Sequence, residues 1–217
     1  GAFDLSANFA ILREKSTSSI QKYMSQENSN VNDERKARLQ KLEDLKELGI
    51  NPYPARVSRT HTAKQALEEA EGSTVTITGR LMLKRDMGKL AFCQLRDASG
   101  QVQIALKQDD IGKESYKVFV KKLDVGDILQ ITGERFVTHK GEQSVMIASW
   151  TLLSKALLPL PDKFHGMNDE ELRYRKRYID FLVNPEEKEK IEVRSRLVRA
   201  MRDFLHGEGF MEVETPM

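Results

Sequence analysis

The chain has 217 residues, 39% apolar and 31% charged, with a net charge of +2. That composition supports one sizeable core or two small ones and excludes a polycation that binds nucleic acid through bulk charge, so any such binding has to rest on a local basic face. A single cysteine, Cys93, excludes an internal disulfide, and the four scattered histidines, His61, His139, His165 and His206, lack metal-ligand spacing. The pattern predicts a reducing, cytoplasmic home with no metal site. No apolar run is long enough to span a bilayer, and residues 1–12 lack the basic start and cleavage site of a signal peptide.

Residues 1–32 read as a leader or disordered segment. The stretch MSQENSN from Met24 suits a natural start, and residues 1–23 suit upstream read-through or added sequence. A helix is predicted next, capped by Asn32 or Asp33, with Leu39, Leu42, Leu45 and Leu48 as its apolar stripe. Gly49 stops it, and Pro52 and Pro54 prevent its continuation. A second short helix over Ala63–Ala70 completes a helical segment, 33–72.

From Ser73 the period becomes two. Strands are predicted from Ser73 through Leu83, over Leu90–Arg96 and over Gln101–Leu106. A helix over Lys113–Leu123 follows, then strands over Ile128–Val137 and Gln143–Leu153. The order β-β-β-α-β-β within 73–154 is that of a five-stranded OB-fold barrel, in an α+β, mainly β chain. Residues 155–161 form a Pro-punctuated linker. Beyond it come a charged helix over Asp169–Leu182 and a longer one over Pro185–His206, capped by Asn184. Val193, Leu197, Ala200, Met201, Phe204 and Leu205 are its expected buried face. Gly207 and Gly209 end it, and Phe210–Val213 begins a strand.

OB barrels bind oligonucleotides on the face of strands 2 and 3. Arg80, Lys84 and Arg85 lie at the end of strand 1 with Lys89 across the turn, where they suit phosphates. Phe92 on strand 2 can stack on a base, and Gln103 and Glu142 can read base edges. The ordinary alternative, a core aromatic with solvated rim cations, is nearly as good on the residues alone. In the run from Glu171 to Leu182, Arg173, Arg175, Lys176 and Arg177 interleave with Tyr174 and Tyr178. Composition favours a solvated helix paired with Glu170, Glu171 and Asp180 over phosphate contact or domain docking. No carboxylate pair, Ser/His/Asp set or glycine-rich phosphate loop makes a self-sufficient active site.

Together the segments from Asp33 to Met217 resemble the bacterial-type class II lysyl-tRNA synthetases. ERKARLQKLEDLKELGINPYP is similar to that family's leading helix, and GRLMLKRDMGKLAFCQLRD to its first barrel hairpin. LLPLPDKFHGMNDEELRYRKRYIDFLVNP resembles its linker and the start of its catalytic domain, over 155–217. GFMEVETPM is similar to class II motif 1. The resemblance implies an anticodon-binding barrel in which Phe92 stacks, Gln103 and Glu142 read bases, and Arg80 and Arg85 support the loop. It also implies a homodimer interface marked by Gly209, Phe210 and Pro216. The full-length protein would attach lysine to tRNA through lysyl-adenylate, using ATP and Mg2+. Motifs 2 and 3 are not in these residues, so the chain itself is expected to hold no cofactor, to be inactive and to self-associate weakly. A stand-alone OB module binding RNA or a partner, or an aspartate- or asparagine-type ligase, are the alternatives. Motif 1 argues against the first and PDKFHG against the second.

Overall fold

The computed structural model describes residues 31–161 and 170–216, and the chain divides into two compact units between Pro159 and Leu160. The expected leader up to residue 30, His165 and most of the PDKFHG stretch lie outside the described residues.

In the first unit, helix α1 (31–47) and helix α2 (Ala63–Glu68) precede the strands. Strands β1 (Thr74–Asp86), β2 (Leu90–Arg96) and β3 (Gln101–Lys107) are followed by helices α3 (Gln108–Ile111) and α4 (Lys113–Lys122). Strands β4 (Ile128–Val137) and β5 (Gln143–Ser154) complete a closed barrel in the order β1-β2-β3-β5-β4. All pairings are antiparallel except β3 with β5. Alternation does the sorting: Val75, Ile77, Ala91, Cys93, Leu95, Val102, Ile104, Leu129, Ile131, Val145 and Ile147 point inward and are buried. Tyr116, Phe119 and Leu123 from α4 and its C-cap join the same core, as do Ala63 and Ala66 of α2. Closure needs two glycines. A Cβ on Gly79 would sit 2.7 Å from the Arg96 carbonyl oxygen, and one on Gly133 only 2.0 Å from that of Met146.

The buried face of α1 is Arg38, Leu42 and Leu45, whereas Leu48 is exposed, so the expected four-leucine stripe is only partly used. Leu48 lies past the last residue of α1, and polar contacts help to set the buried face. Arg38 Nη1 donates to the carbonyls of Val125 (3.1 Å) and Ala156 (3.2 Å). Lys41 pairs with Asp124, and Lys122 with Asp44. Residues 31 and 32 are already helical, so neither Asn32 nor Asp33 is the N-cap. Helix α2 stops at Glu68, two residues short of Ala70, because Glu69 is extended.

In the second unit the single charged helix expected over 169–182 is two: α5 (Glu170–Arg175) and α6 (Arg177–Val183), broken at Lys176 (φ −117°, ψ 48°). Helix α7 (Pro185–Gly207) begins at Pro185 as expected, but the Asn184 side chain bonds Asp180 (2.6 Å) instead of capping it. The predicted apolar face of α7 is not buried: Leu197, Met201 and Phe204 are 60%, 58% and 66% exposed. Residues 210–213 do not form a strand. A strand needs a neighbour for its N–H and C=O groups, and none lies beside this segment among the described residues of its unit. The Phe210 N–H donates instead to Leu205 O (3.0 Å), and Gly209 takes φ +85°, ending α7 in a Schellman turn.

Candidate nucleic-acid interface

The outward register of the barrel assembles the polar and aromatic side chains that its interior excludes. Phe92 on β2 is half-buried, flanked by Arg85 of β1 and Ala105 of β3, with Met146 of β5 next to Ala105. One residue pair along, Gln94, Gln103 and Ser144 stand side by side on β2, β3 and β5. Gln103 Nε2 donates to Ser144 Oγ (2.9 Å), and that hydroxyl donates to the carbonyl of Glu142 (3.2 Å). The β4–β5 turn is held by Thr138: its Oγ1 accepts from Glu142 N–H and its carbonyl from Gly141 N–H, with Gly141 at φ +80°. A chain of hydrogen bonds therefore links Gln103 to the turn that carries Glu142, whose side chain is exposed. Phe92, Gln103 and Glu142 are brought to one region of the barrel surface.

A groove of about 320 Å³ lies on the Phe92 side of this surface, lined by Phe92, Ala105, Lys107, Phe136, His139 and Met146 among others, with Gln103 and Glu142 outside its lining. Phe136, Met146 and Lys107 were not singled out from the sequence. A signal was present: Leu129, Ile131, Gly133 and Arg135 hold the inward register of β4, which leaves the apolar Phe136 in the register that normally carries polar side chains.

The three expected phosphate-binding cations separate. Arg85 is exposed beside Phe92. Lys84 is not at the groove. A bulge between Leu81 and Leu83 shifts the register, so Lys84 stands opposite the inward-facing Cys93. Its ammonium donates to the carbonyls of Val120 (2.7 Å) and Leu123 (2.5 Å), at the C-terminal end of α4. Burial holds its pKa below the usual lysine value, partly offset by Asp124. Arg80 Nη1 donates to the Gly126 carbonyl (2.7 Å). Burial likewise lowers its pKa, with Asp127 opposing. Both serve the α4–β4 connection. Cys93 is buried and its thiol is pushed up to about 12 by that burial, which makes it a core residue, not a nucleophile.

In the second unit the basic run is neutralised locally. Arg173 and Arg177 both reach the buried Asp180 and Glu187. Burial alone would raise the Asp180 pKa, but hydrogen bonds from Asn184 and Arg173 and the charges of Arg173 and Arg177 hold it below the usual carboxylate value. Glu187 is held down to about 2, chiefly by hydrogen bonds from Lys190 and Arg177. Arg177 also lies over Phe181, 4.9 Å from the ring centroid. Tyr174, Tyr178 and Phe210 are exposed, as is Pro216. Among the described residues no group of three His, Cys, Asp or Glu side chains is arranged to hold a metal ion. No helix there is long and apolar enough to cross a membrane.

Residues 75–153 match the OB-fold nucleic acid binding domain family, and residues 169–217 match the class II tRNA synthetases (D, K and N). The class is thus a nucleic-acid-binding barrel joined to the opening part of a class II synthetase domain. Three curated relatives narrow it. The chain is 50% identical over 197 residues to a lysine–tRNA ligase of Syntrophomonas wolfei, covering 89% of this chain and 40% of that protein. It is 48% identical over 194 residues to one of Carboxydothermus hydrogenoformans (88% and 40%) and 43% identical over 206 residues to one of Bacillus subtilis (89% and 41%). The chain belongs to the lysine–tRNA ligase family, and it spans about 40% of the length of these relatives.

Proposed function

We propose that residues 73–154 bind the anticodon loop of a lysine-type tRNA, as part of a cytoplasmic protein that joins lysine to tRNA through lysyl-adenylate. The observation that carries this reading is the Gln103–Ser144–Glu142 hydrogen-bond chain beside Phe92. It ties the Gln103 amide, on the strand next to Phe92, to the backbone of the turn that carries Glu142, and so supports a reading in which one unstacked base meets an aromatic surface, an amide and a carboxylate. Phe92 supplies stacking that is nearly blind to base identity. Glu142, acting only as an acceptor when ionised, takes the N3–H of uracil and repels the bare N3 lone pair of cytosine. Gln103 spends one amide hydrogen on Ser144 and keeps the other for a base carbonyl. Arg85 and Lys107, both exposed, attract phosphates without reading sequence.

The exposed apolar side chains of α7 and the segment containing Gly209, Phe210 and Pro216 support a role in a larger assembly. In this reading the rest of a synthetase sheet and a second subunit cover them in the full-length homodimer. ATP, Mg2+ and lysine belong to the activity of that full-length protein, and no described residue is assigned to hold them.

The test is binding of labelled anticodon stem-loops with U or C at the centre, at fixed salt, to the wild-type chain and to Glu142→Gln. Wild type should prefer U, and Glu142→Gln should erase most of that preference, since a neutral amide can donate to N3 of cytosine. An unchanged U-over-C ratio in a folded variant removes Glu142 from base reading.

A further inference from the structure

Phe136 has no role in the barrel's core. It stands on the outward register of β4, half-buried, two residues before Thr138 opens the turn that carries Glu142, and it lines the same groove as Phe92. Its position relative to Phe92 follows from the strand pairing. Phe92 lies in the row Phe92–Ala105–Met146–Glu134, across β2, β3, β5 and β4. Phe136 lies in the neighbouring row, Gln94–Gln103–Ser144–Phe136. Three inter-strand steps separate the two aromatics, about 14 Å measured across the sheet at ~4.8 Å per step. Two rings that clamp a single base must face each other across one base thickness, far less than this. Between them the floor is Ala105, the smallest side chain of its row, flanked by Met146, so the groove stays open from one ring to the other. Lys107 and His139 line the same groove and offer donors to a phosphate backbone crossing it.

We infer that Phe136 is a second stacking platform, so that the barrel surface holds two bases of one RNA loop, one on Phe92 and another on Phe136. The inference rests on the anticodon-loop reading above and adds a second, separate base to it. Stacking on Phe136 contributes affinity and little identity, because every base has a π-face. Identity stays with Gln103 and Glu142, which address the base on Phe92.

The experiment pairs variants with abasic RNA. Stem-loops with an intact loop, or with a single abasic site at the central or at each flanking position, are titrated against wild type, Phe92→Leu, Phe136→Leu and Phe136→Tyr. Leucine keeps apolar bulk but has no π-face, and tyrosine restores the ring. On the intact loop Phe136→Leu should weaken binding roughly tenfold, within the range stacking supplies, and Phe136→Tyr should bind as wild type. One flanking abasic site should abolish the Phe136→Leu effect and leave that of Phe92→Leu intact, and the central abasic site should do the reverse. The proposal is overturned if a folded Phe136→Leu binds as wild type, or if the same abasic site silences both variants, which would mean one shared base. Should Phe136→Leu fail to fold, the abasic series on wild type decides: two costly positions support the proposal, and a single costly position overturns it. If wild type fails to bind the intact loop, the anticodon reading falls and this one with it; if Phe92→Leu behaves as expected while Phe136→Leu is silent, only this one falls.

Discussion

Replacing Lys155 with methionine keeps the bulk of a fully buried side chain and removes its charge. The ammonium lies between Asp124 Oδ2 (2.6 Å) and Asp127 Oδ2 (2.8 Å), and the Lys155 and Asp127 side chains are both 0% exposed. Breaking a buried pair by deleting one partner costs about 3–5 kcal/mol, because the other charge is left in a poor solvent. Two features place the expected cost near the lower end, at about 3 kcal/mol. Asp127 still accepts from the N–H groups of Ala156 and Asp124, both at 2.8 Å, and Asp124 keeps Lys41. For a unit of this size that corresponds to a fall in Tm of roughly 10–15 °C. The chain has one tryptophan, Trp150 on β5, hydrogen-bonded to Ser115 and edge-on to Phe119, so urea titration followed by its fluorescence reports on the barrel alone. The pH dependence carries a sign. Burial alone would raise the Asp124 pKa, but hydrogen bonds from Lys155 and Lys41 hold it below the usual value. A depressed carboxylate stabilises the wild type above its unfolded pKa, near 4, and that stability is lost as the pH falls through the lower folded value. Without Lys155 the depressing bonds weaken while the burial stays, so protonation relieves the variant. The gap between wild type and Lys155→Met should therefore narrow as the pH falls from 7 toward 4. A loss under about 1 kcal/mol at pH 7, or a gap that widens on acidification, would refute the reasoning.

Lys84→Met should cost about 1–2 kcal/mol of barrel stability, by leaving the last carbonyls of α4 without their cation, and leave the salt dependence of RNA binding unchanged. A Lys84 variant that lowers the salt slope would return this residue to the phosphate-contacting set. Arg85→Ala should do the opposite, lowering the slope of log K against log salt by about 0.7 with stability within about 0.5 kcal/mol of wild type. The purified 217-residue chain should show no lysine-dependent ATP–pyrophosphate exchange above background, and exchange that scales with protein concentration and resists repurification would show that these residues suffice for adenylation.

The five strands were legible because each face of a barrel strand meets a different solvent, and the period-two pattern records it: β2 and β4 begin and end where the alternation does. The family resemblance pointed to Phe92, Gln103 and Glu142, and the strand pairing and the β4–β5 turn bring these three to one surface. Lys84 was misplaced because a bulge leaves no mark in an alternating run such as GRLMLKR. One extra residue near Met82 exchanges the two faces of everything after it and turns a rim cation into a helix cap. The apolar pattern of α7 is correct as a pattern, yet a pattern only says that a face needs covering, and burial depends on a neighbour that must be present.

The sequence by itself determined the barrel, because hydrophobic alternation, turn glycines and β-branched runs act over a few residues and need no distant partner to be read. Only the tertiary structure decided which cations face the groove, how Gln103 is tied to the Glu142 turn and why Arg38 is buried in α1. Those outcomes hang on contacts between segments far apart in the chain, such as Arg38 with Ala156 and Gln103 with Ser144. A buried donor takes whichever acceptor the fold brings within about 3 Å, and no local pattern of residues encodes that distance.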